Sequence, residues 1–318
     1  MKVVFSGGAG LVGGAVIRAL CERGDTVVAL VREPRRAGHL AELGAVVVQD
    51  DLSDVTGLAE LVRGSDAVIH AAGSYRIGIP KSEHGTMWDA NVGTATRMFD
   101  AAEAAGTARI VYVSTGTIYG NTRGATVDET YRRDLGEGFL SWYDETKYGA
   151  HEVAEQRIAA GAPIVIVLPS QVYGPGDRSA FGEQLRLAHA GRLHYRAVDD
   201  VRIGLVHADD LASGIVTALD RGVPGQQYNL PGPQTSLGEA IALAARLGGH
   251  APPRLRIPDG VLSALGRLSR AAGRPGLAEI LSASAGVTYL MSPAKAESEL
   301  GFTTRDLETG FRDTFGPA

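Results

Sequence analysis

Tyr143 and Lys147 stand four residues apart at the start of a helical stretch, Tyr143-Asp-Glu-Thr-Lys147. That spacing puts a phenol and an ammonium on one helix face, where the positive charge lowers the tyrosine pKa from about 10. Such a pair can give and take a proton, and the lysine can also hold the ribose of a nucleotide cofactor. Only 4 of the 31 basic residues are lysines, so a lysine here stands out against an arginine background. A second group of chemistry-bearing residues ends a β-branched run as Val113-Ser114-Thr115-Gly116-Thr117. Hydroxyls at the C-terminal end of a parallel strand project into the crevice where such sheets bind ligands, and Thr115 or Ser114 could polarise a substrate carbonyl there.

The cofactor signal lies at the N-terminus, where a strand-like Met1–Phe5 runs into Gly7-x-x-Gly10-x-x-Gly13 and then a helical pattern. Glycines at this turn allow a sharp bend and let backbone approach a pyrophosphate. The helix start at Leu11 and Val12 offers free N–H groups to the anion. The next strand ends Ala29-Leu30-Val31-Arg32, with Arg35 and Arg36 close behind and Glu33 one position past Arg32. A guanidinium fork matches a 2′-phosphate, so Arg32 and Arg36 favour NADP over NAD. Asp51, after the third strand, reads either as a contact for the adenine end or as a helix cap.

The elements that must position these groups alternate. Strand-like runs fall at Val3–Phe5, Thr26–Val31, Ala45–Val48, Ala67–His70, Arg109–Val113 and Ile164–Leu168. Helical patterns between them begin near Leu11, Arg36, Val55, His84 and Ser141. Strands separated by helices imply right-handed crossovers and a parallel sheet covered on both faces. The expected fold is α/β, a doubly wound parallel sheet of Rossmann type with a second, smaller α/β substrate domain. The dinucleotide-binding domain is expected over 1–169, with 206–229 returning to it, and the substrate domain over 170–205 and 230–318. Beyond Leu168 the regularity gives way to Gly/Pro-punctuated segments, with helical patterns near Asp209–Arg221, Leu237–Leu247 and Val261–Ala272.

Composition excludes several classes. With 318 residues, 44% hydrophobic and 21% charged, the chain can bury a core without staples. Net charge is −5, with 31 basic and 36 acidic residues and no long block of like charge, which speaks against nucleic-acid and membrane partners. The single cysteine, Cys21, forms no internal disulfide, and no signal-peptide pattern is read, so a cytoplasmic location is expected. The charge-free stretch from Ile158 to Gly176 contains three prolines and three glycines, which a membrane-spanning helix would not carry.

Taken together, these residues resemble the extended short-chain dehydrogenase/reductases. That superfamily includes the NAD-dependent epimerases and dehydratases and the dihydroflavonol-reductase-like reductases. Besides Gly7, Gly10, Gly13, Tyr143 and Lys147, the resemblance rests on Asp51-Leu52, His70-Ala71-Ala72-Gly73 and Asn91-Val92-Gly93-Thr94. It continues through Val172-Tyr-Gly-Pro-Gly-Asp, Val206-His-Ala-Asp-Asp-Leu-Ala and Lys295–Phe302, and so runs nearly the whole chain. It implies Thr115 as the catalytic hydroxyl, Tyr143 as acid/base and Lys147 on the nicotinamide ribose. It further implies Leu52, Ala71, Ala72, Gly73, Asn91, Ser114, Pro169, Ser170 and Val172 around the cofactor, and a homodimer through helices near 84–105 and 141–160. His207 then looks structural, and no histidine shows metal-ligand spacing.

Within the superfamily the signals divide. The segment Ala29–Leu40 and the Ser74-Tyr75-Arg76 loop resemble the reductase branch, whereas Val113–Gly120 and Val172–Asp177 look like epimerase and dehydratase spellings. Leu168-Pro169 stands where sugar-nucleotide enzymes usually carry Arg-Pro, and Arg202 lies five residues before His207 rather than four. Gly116 and Thr117 replace the Asp-Glu pair of the dehydratases. The expected activity is hydride transfer between NADP(H) and a carbonyl or secondary alcohol of a small molecule. The alternatives are a nucleotide-sugar 4-epimerase with tightly bound NAD, and an NADP-binding sensor without catalysis. Tyr75, Arg76, Trp142, Gln171, Arg178 and Tyr195 are the expected substrate contacts, with Phe181 also expected to shape the pocket.

Overall fold

The computed structural model describes residues 1–273, 276, 279 and 286–316. In chain order the first half runs β1 (Lys2–Ser6), α1 (Leu11–Glu22), β2 (Thr26–Val31), α2 (Gly38–Glu42), β3 (Val46–Gln49), α3 (Val55–Val62), β4 (Ala67–His70), α4 (His84–Trp88), α5 (Thr94–Ala104), β5 (Ile110–Val113), α6 (Trp142–Ala159) and β6 (Ile164–Pro169). The second half continues β7 (Gln171–Tyr173), α7 (Ala180–His189), β8 (Tyr195–Ala197), β9 (Arg202–His207), α8 (Ala208–Arg221), β10 (Gln227–Leu230), β11 (Gln234–Ser236), α9 (Leu237–Leu247), β12 (Leu255–Ile257), α10 (Asp259–Ala271), β13 (Thr288–Tyr289), α11 (Ala294–Leu300) and α12 (Leu307–Phe315).

Seven strands form one parallel sheet in the order β10-β6-β5-β4-β1-β2-β3. Every residue of β4, β5 and β6 is buried, as expected of strands covered by helices on both faces. Alternation sorts the core. Val3 and Phe5 face α1 and α8 with Ile17, Leu20 and Ile215, while Val4 and Val68 face α3, α5 and α6 with Phe99, Met98 and Ala150. The strand order reverses between β1 and β4, which opens a crevice beyond their C-terminal ends.

The strands and helices read from the sequence are present within one or two residues. One strand of the large sheet, β10, has no counterpart in that reading, and neither do the strands of the second half outside it, β7 to β9 and β11 to β13. The residues of β10, Gln-Tyr-Asn-Leu, lack the β-branched signature, and it exists because it pairs with β6 and because Asn229 accepts a hydrogen bond from the Tyr119 hydroxyl at 2.8 Å. Residues 208–230 thus lie against the large sheet through α8 and β10. Phe302, at the end of α11, also packs there, against Gly214 of α8.

The rest of the second half builds a smaller layer. β9 pairs with β7, β11 and β13, and β8 pairs with β12. Its core gathers Tyr173, Leu185, Leu205, Ile241, Ala244 and Phe311 from elements scattered over 140 residues of sequence. His207 ends β9 and caps α8, its Nδ1 accepting from the Asp209 N–H at 3.2 Å. The carboxylates of Asp209 and Asp313 lie beside its ring and pair with Arg18 and Arg305 respectively.

Candidate active site

The crevice at the switch in strand order is a cleft of about 560 Å³. Its floor is the turn between β1 and α1. Gly7 has φ +92°, and a Cβ there would sit 2.5 Å from the Ala71 carbonyl carbon, so the first turn and the end of β4 meet backbone to backbone. A Cβ on Gly13 would lie 2.2 Å from the Gly7 carbonyl oxygen. Gly10 has open space around its Cβ position and caps α1, whose first intrahelical bond runs from Gly14 N–H to Gly10. The N–H groups of Leu11, Val12 and Gly13 precede that bond, and all three residues line the cleft. Bare backbone, unfilled Cβ space and a helix N-terminus together fit the pyrophosphate of a dinucleotide.

Thr115, Tyr143 and Lys147 share the same cleft. β5 delivers Ser114 and Thr115. The first turns of α6 deliver the other two, and their position is fixed locally: Ser141 caps the helix by accepting from Asp144 N–H at 3.1 Å. A buried ion pair between Arg133 and Asp144 at 2.9 Å ties the same turn to the preceding loop. The sequence signal for this cap is a serine three residues before an acidic residue, and Arg133 carries no signal of its own.

The phenol of Tyr143 is half-buried, with the Tyr75 ring edge-on at 4.7 Å. Contrary to the lowering expected from Lys147, burial, reinforced by the Tyr75 hydroxyl, pushes its pKa above the ordinary value of 10, with the Thr115 hydroxyl opposing. Lys147 is 8% exposed, and burial lowers its pKa to about 8. Its ammonium lies 3.5 Å from the Val113 carbonyl oxygen and 5.3 Å from the Tyr112 ring centre. Behind it His70 is fully buried, hydrogen-bonded to Ser6 at 2.7 Å and stacked on Tyr112. Burial and then the Lys147 charge lower its pKa to about 3, so it stays neutral.

Of the other residues expected at the site, Ala71, Gly73, Tyr75, Ser114, Pro169, Ser170, Gln171 and Val172 also line the cleft. Ten residues do not. Asn91 is buried in a π-helical turn over 89–93 and acts on the wall instead. Its amide oxygen accepts from Ser74 N–H at 2.6 Å, and its nitrogen donates to the Ser74 carbonyl and to Thr146. Ala72 packs into the core beneath. Leu52 is buried at φ +61°, and Asp51 turns back on Ser53 N–H at 3.0 Å, both just past β3. Arg32 and Arg36 are exposed at the end of β2, where Arg36 pairs with Glu33 at 3.1 Å.

The substrate-side expectations fare unevenly. Trp142 faces α4, where its indole stacks on His84 at 4.3 Å and donates to the His84 carbonyl. Helical phase explains the difference, because Trp142 precedes Tyr143 by 100° on α6. Arg76 is exposed and pairs with Glu83, and Arg178 and Tyr195 are exposed away from the cleft. Phe181 lines the cleft as expected, and the rest of the far wall is made by Ile77, Leu140, Val201, Ile203, Leu237, Tyr289 and Met291. Five of these lie in or beside β9, α9 and β13, and no local spacing links them to Thr115, Tyr143 and Lys147. Val201 and Ile203 face the cleft, so strand alternation turns Arg202 between them outward, where it is exposed.

The comparisons agree with this geometry. The profile of the NAD dependent epimerase/dehydratase family matches residues 3–230. A putative dihydroflavonol 4-reductase of Synechocystis is 29% identical over 258 residues, 80% of this chain and 74% of that one. A 2-alkyl-3-oxoalkanoate reductase of Stenotrophomonas maltophilia is 30% identical over 236 residues, 71% of this chain and 67% of that one. The crystal structure of gox2253 superposes with a TM-score of 0.87 at 30% identity, covering 98% of this chain and 96% of that one. Relatives include reductases, dehydrogenases and epimerases. With the glycine cradle, the Thr-Tyr-Lys group and the match over most of its length, the chain belongs to the NAD dependent epimerase/dehydratase family as an NAD(P)-dependent enzyme of the extended short-chain dehydrogenase/reductase type.

Proposed function

We propose that the protein is an NADP(H)-dependent carbonyl reductase, working in either direction between a ketone and a secondary alcohol of an uncharged, largely apolar small molecule. The observation that carries this reading is the wall facing Thr115 and Tyr143. Among the described residues lining the cleft, Lys147 is the sole basic side chain. The acid Asp177 is buried in the same lining, held by Ser179 N–H at 2.8 Å. Burying a diphosphate there without a cation would be costly, whereas an apolar ketone gains from contact with Phe181, Ile203, Leu237 and Met291.

A bound nicotinamide supplies or accepts the hydride. The chain's own residues handle the oxygen. Tyr143 donates its proton as negative charge develops on the carbonyl oxygen, and Thr115 hydrogen-bonds the same atom, so both act where the transition state differs from the ground state. Lys147, four residues along the same helix face and lining the same cleft, supplies the positive charge that would hold the cofactor ribose. Arg32, exposed at the end of β2, supports the 2′-phosphate reading. On that basis Arg32→Ala weakens NADPH more than NADH.

The test is a titration with NADPH, NADH and UDP-glucose, followed by NADPH oxidation assays with aromatic and aliphatic ketones. NADPH preference, absence of UDP-glucose binding and net NADPH oxidation support the reading. NAD retained through purification, together with UDP-glucose binding and no net cofactor turnover, would overturn it in favour of an epimerase.

A further inference from the structure

We propose that Ser114, His151 and Glu155 form a proton path between the cleft and solvent along the inner face of α6. This rests on the oxidoreductase reading above, because each turnover releases or takes up one proton at a site enclosed by two layers.

Four polar residues follow one another at single-turn spacing on this helix: Tyr143, Lys147, His151 and Glu155. Ala150 and Ala154, both fully buried, flank this row, and the other buried polar residues of the helix, Asp144 and Thr146, are engaged by Arg133 and by Asn91. His151 is 3% exposed, and an imidazole at such a place is costly unless partnered. Its partners point in opposite directions. Nδ1 lies 3.0 Å from the Oγ of Ser114, a cleft-lining residue, and Nε2 lies 3.6 Å from Oε1 of Glu155. Glu155 is half-exposed and is held by the Gln227 amide at 2.8 Å, with Arg132 at 4.0 Å, so its carboxylate stays aimed at the ring. The His151 ring beside it holds the Glu155 carboxyl below the usual range and keeps it ionised. The groups in contact with the imidazole are therefore Ser114 and, from α6, Glu155, with Gln227 and Arg132 behind Glu155.

The proton balance follows from the two ring nitrogens. During alcohol oxidation the proton leaving the substrate oxygen passes from Tyr143 through the cleft to Ser114, which lines it. Ser114 gives its own proton to Nδ1, and Nε2 releases one to Glu155 and water. Reduction runs the same steps backwards. Lys147, whose pKa burial lowers to about 8, can gain and lose a proton near neutrality. His151 touches neither substrate nor cofactor and acts through Ser114.

The test has two arms. In ¹⁵N NMR of the NADPH-bound protein, the His151 Nε2–H should exchange rapidly with water despite its burial, and Glu155→Leu should slow that exchange roughly tenfold. Slow exchange that is indifferent to Glu155 overturns the path. This arm needs no turnover, so a protein that reduces no ketone refutes the reductase reading and leaves this measurement decisive. In the kinetic arm, His151→Gln keeps an acceptor for Ser114 but cannot carry a proton. With NADPH and 1-phenyl-1,2-propanedione it should lower kcat roughly tenfold, enlarge the solvent deuterium isotope effect and leave KM and NADPH binding unchanged. Wild-type kcat and isotope effect in His151→Gln would show that the imidazole only fills space.

Discussion

At the scale of the residue, the cleft combines a phenol that burial keeps protonated with an ammonium that burial makes easier to discharge. Tyr143→Phe should therefore lower turnover by about 10² to 10⁴ while leaving NADPH binding near wild type, as read by steady-state kinetics and fluorescence titration. Lys147 carries a separate signature in stability. Its pKa in the folded protein, about 8, lies below the ordinary value of 10.5, so the unfolded chain binds more protons between those pH values. The cost of the buried charge is full below pH 8 and disappears as pH rises toward 10.5. Lys147→Met should accordingly raise the Tm of the cofactor-free protein at pH 7, with the gain shrinking across that window, while abolishing turnover. A Tm gain that does not change with pH would show that the charge is not the cause.

Elements set the distances between these residues, and the turn from β1 to α1 offers the clearest separation of folding from binding. Gly13→Ala drives a methyl to 2.2 Å from the Gly7 carbonyl oxygen, which the backbone must move to accept. Overpacking of this kind costs about 1–3 kcal/mol, so both Tm and NADPH affinity should fall. Gly10→Ala meets nothing closer than 3.8 Å and sits at φ −86°, an ordinary value for alanine. Its Tm should fall by only about 2–4 °C, since alanine is about 1 kcal/mol poorer than glycine at a helix N-cap, while NADPH affinity falls because a methyl is added where the helix N-terminus meets the anion. Thermal denaturation and cofactor titration of both variants check the contrast. α6 is positioned as firmly, by the Ser141 cap and the Arg133–Asp144 pair, and this is why a tyrosine in the first turn of a helix can hold a fixed orientation.

Across the whole molecule, two layers divide the work. The large sheet carries the glycine cradle and Thr115, Tyr143 and Lys147; the small layer supplies the apolar wall through Val201, Ile203 and Leu237. Phe311 of α12 anchors that layer, fully buried and edge-on to Tyr173 at 5.1 Å. Phe311→Ala should cost about 3–5 kcal/mol and raise KM for a ketone more than Kd for NADPH, because the cavity opens behind the substrate wall rather than under the cradle. Equal losses in both constants would show that the layers do not act separately. Among the described residues no helix is long and apolar enough to cross a membrane.

Local physics made much of this legible in the residues alone. β-branched runs between amphipathic helices specify a parallel sheet, Gly7, Gly10 and Gly13 specify a turn that only small residues can make, and Tyr143 and Lys147 meet because a helix repeats every 3.6 residues. What tertiary structure decided lies wherever contact depends on distant chain segments. Trp142 looks like a cleft residue by position along the chain, yet helical phase turns it away, and strand alternation turns Arg202, already out of the expected spacing, toward solvent. β10 is a strand only because β6 offers it an edge, and Tyr289 and Met291 reach the cleft only because β13 pairs with β9. His151 is a plain helix residue in the sequence. Its partner Ser114 lies 37 residues away in the chain, and burial with Glu155 on the opposite side turns it into a link between the cleft and the surface.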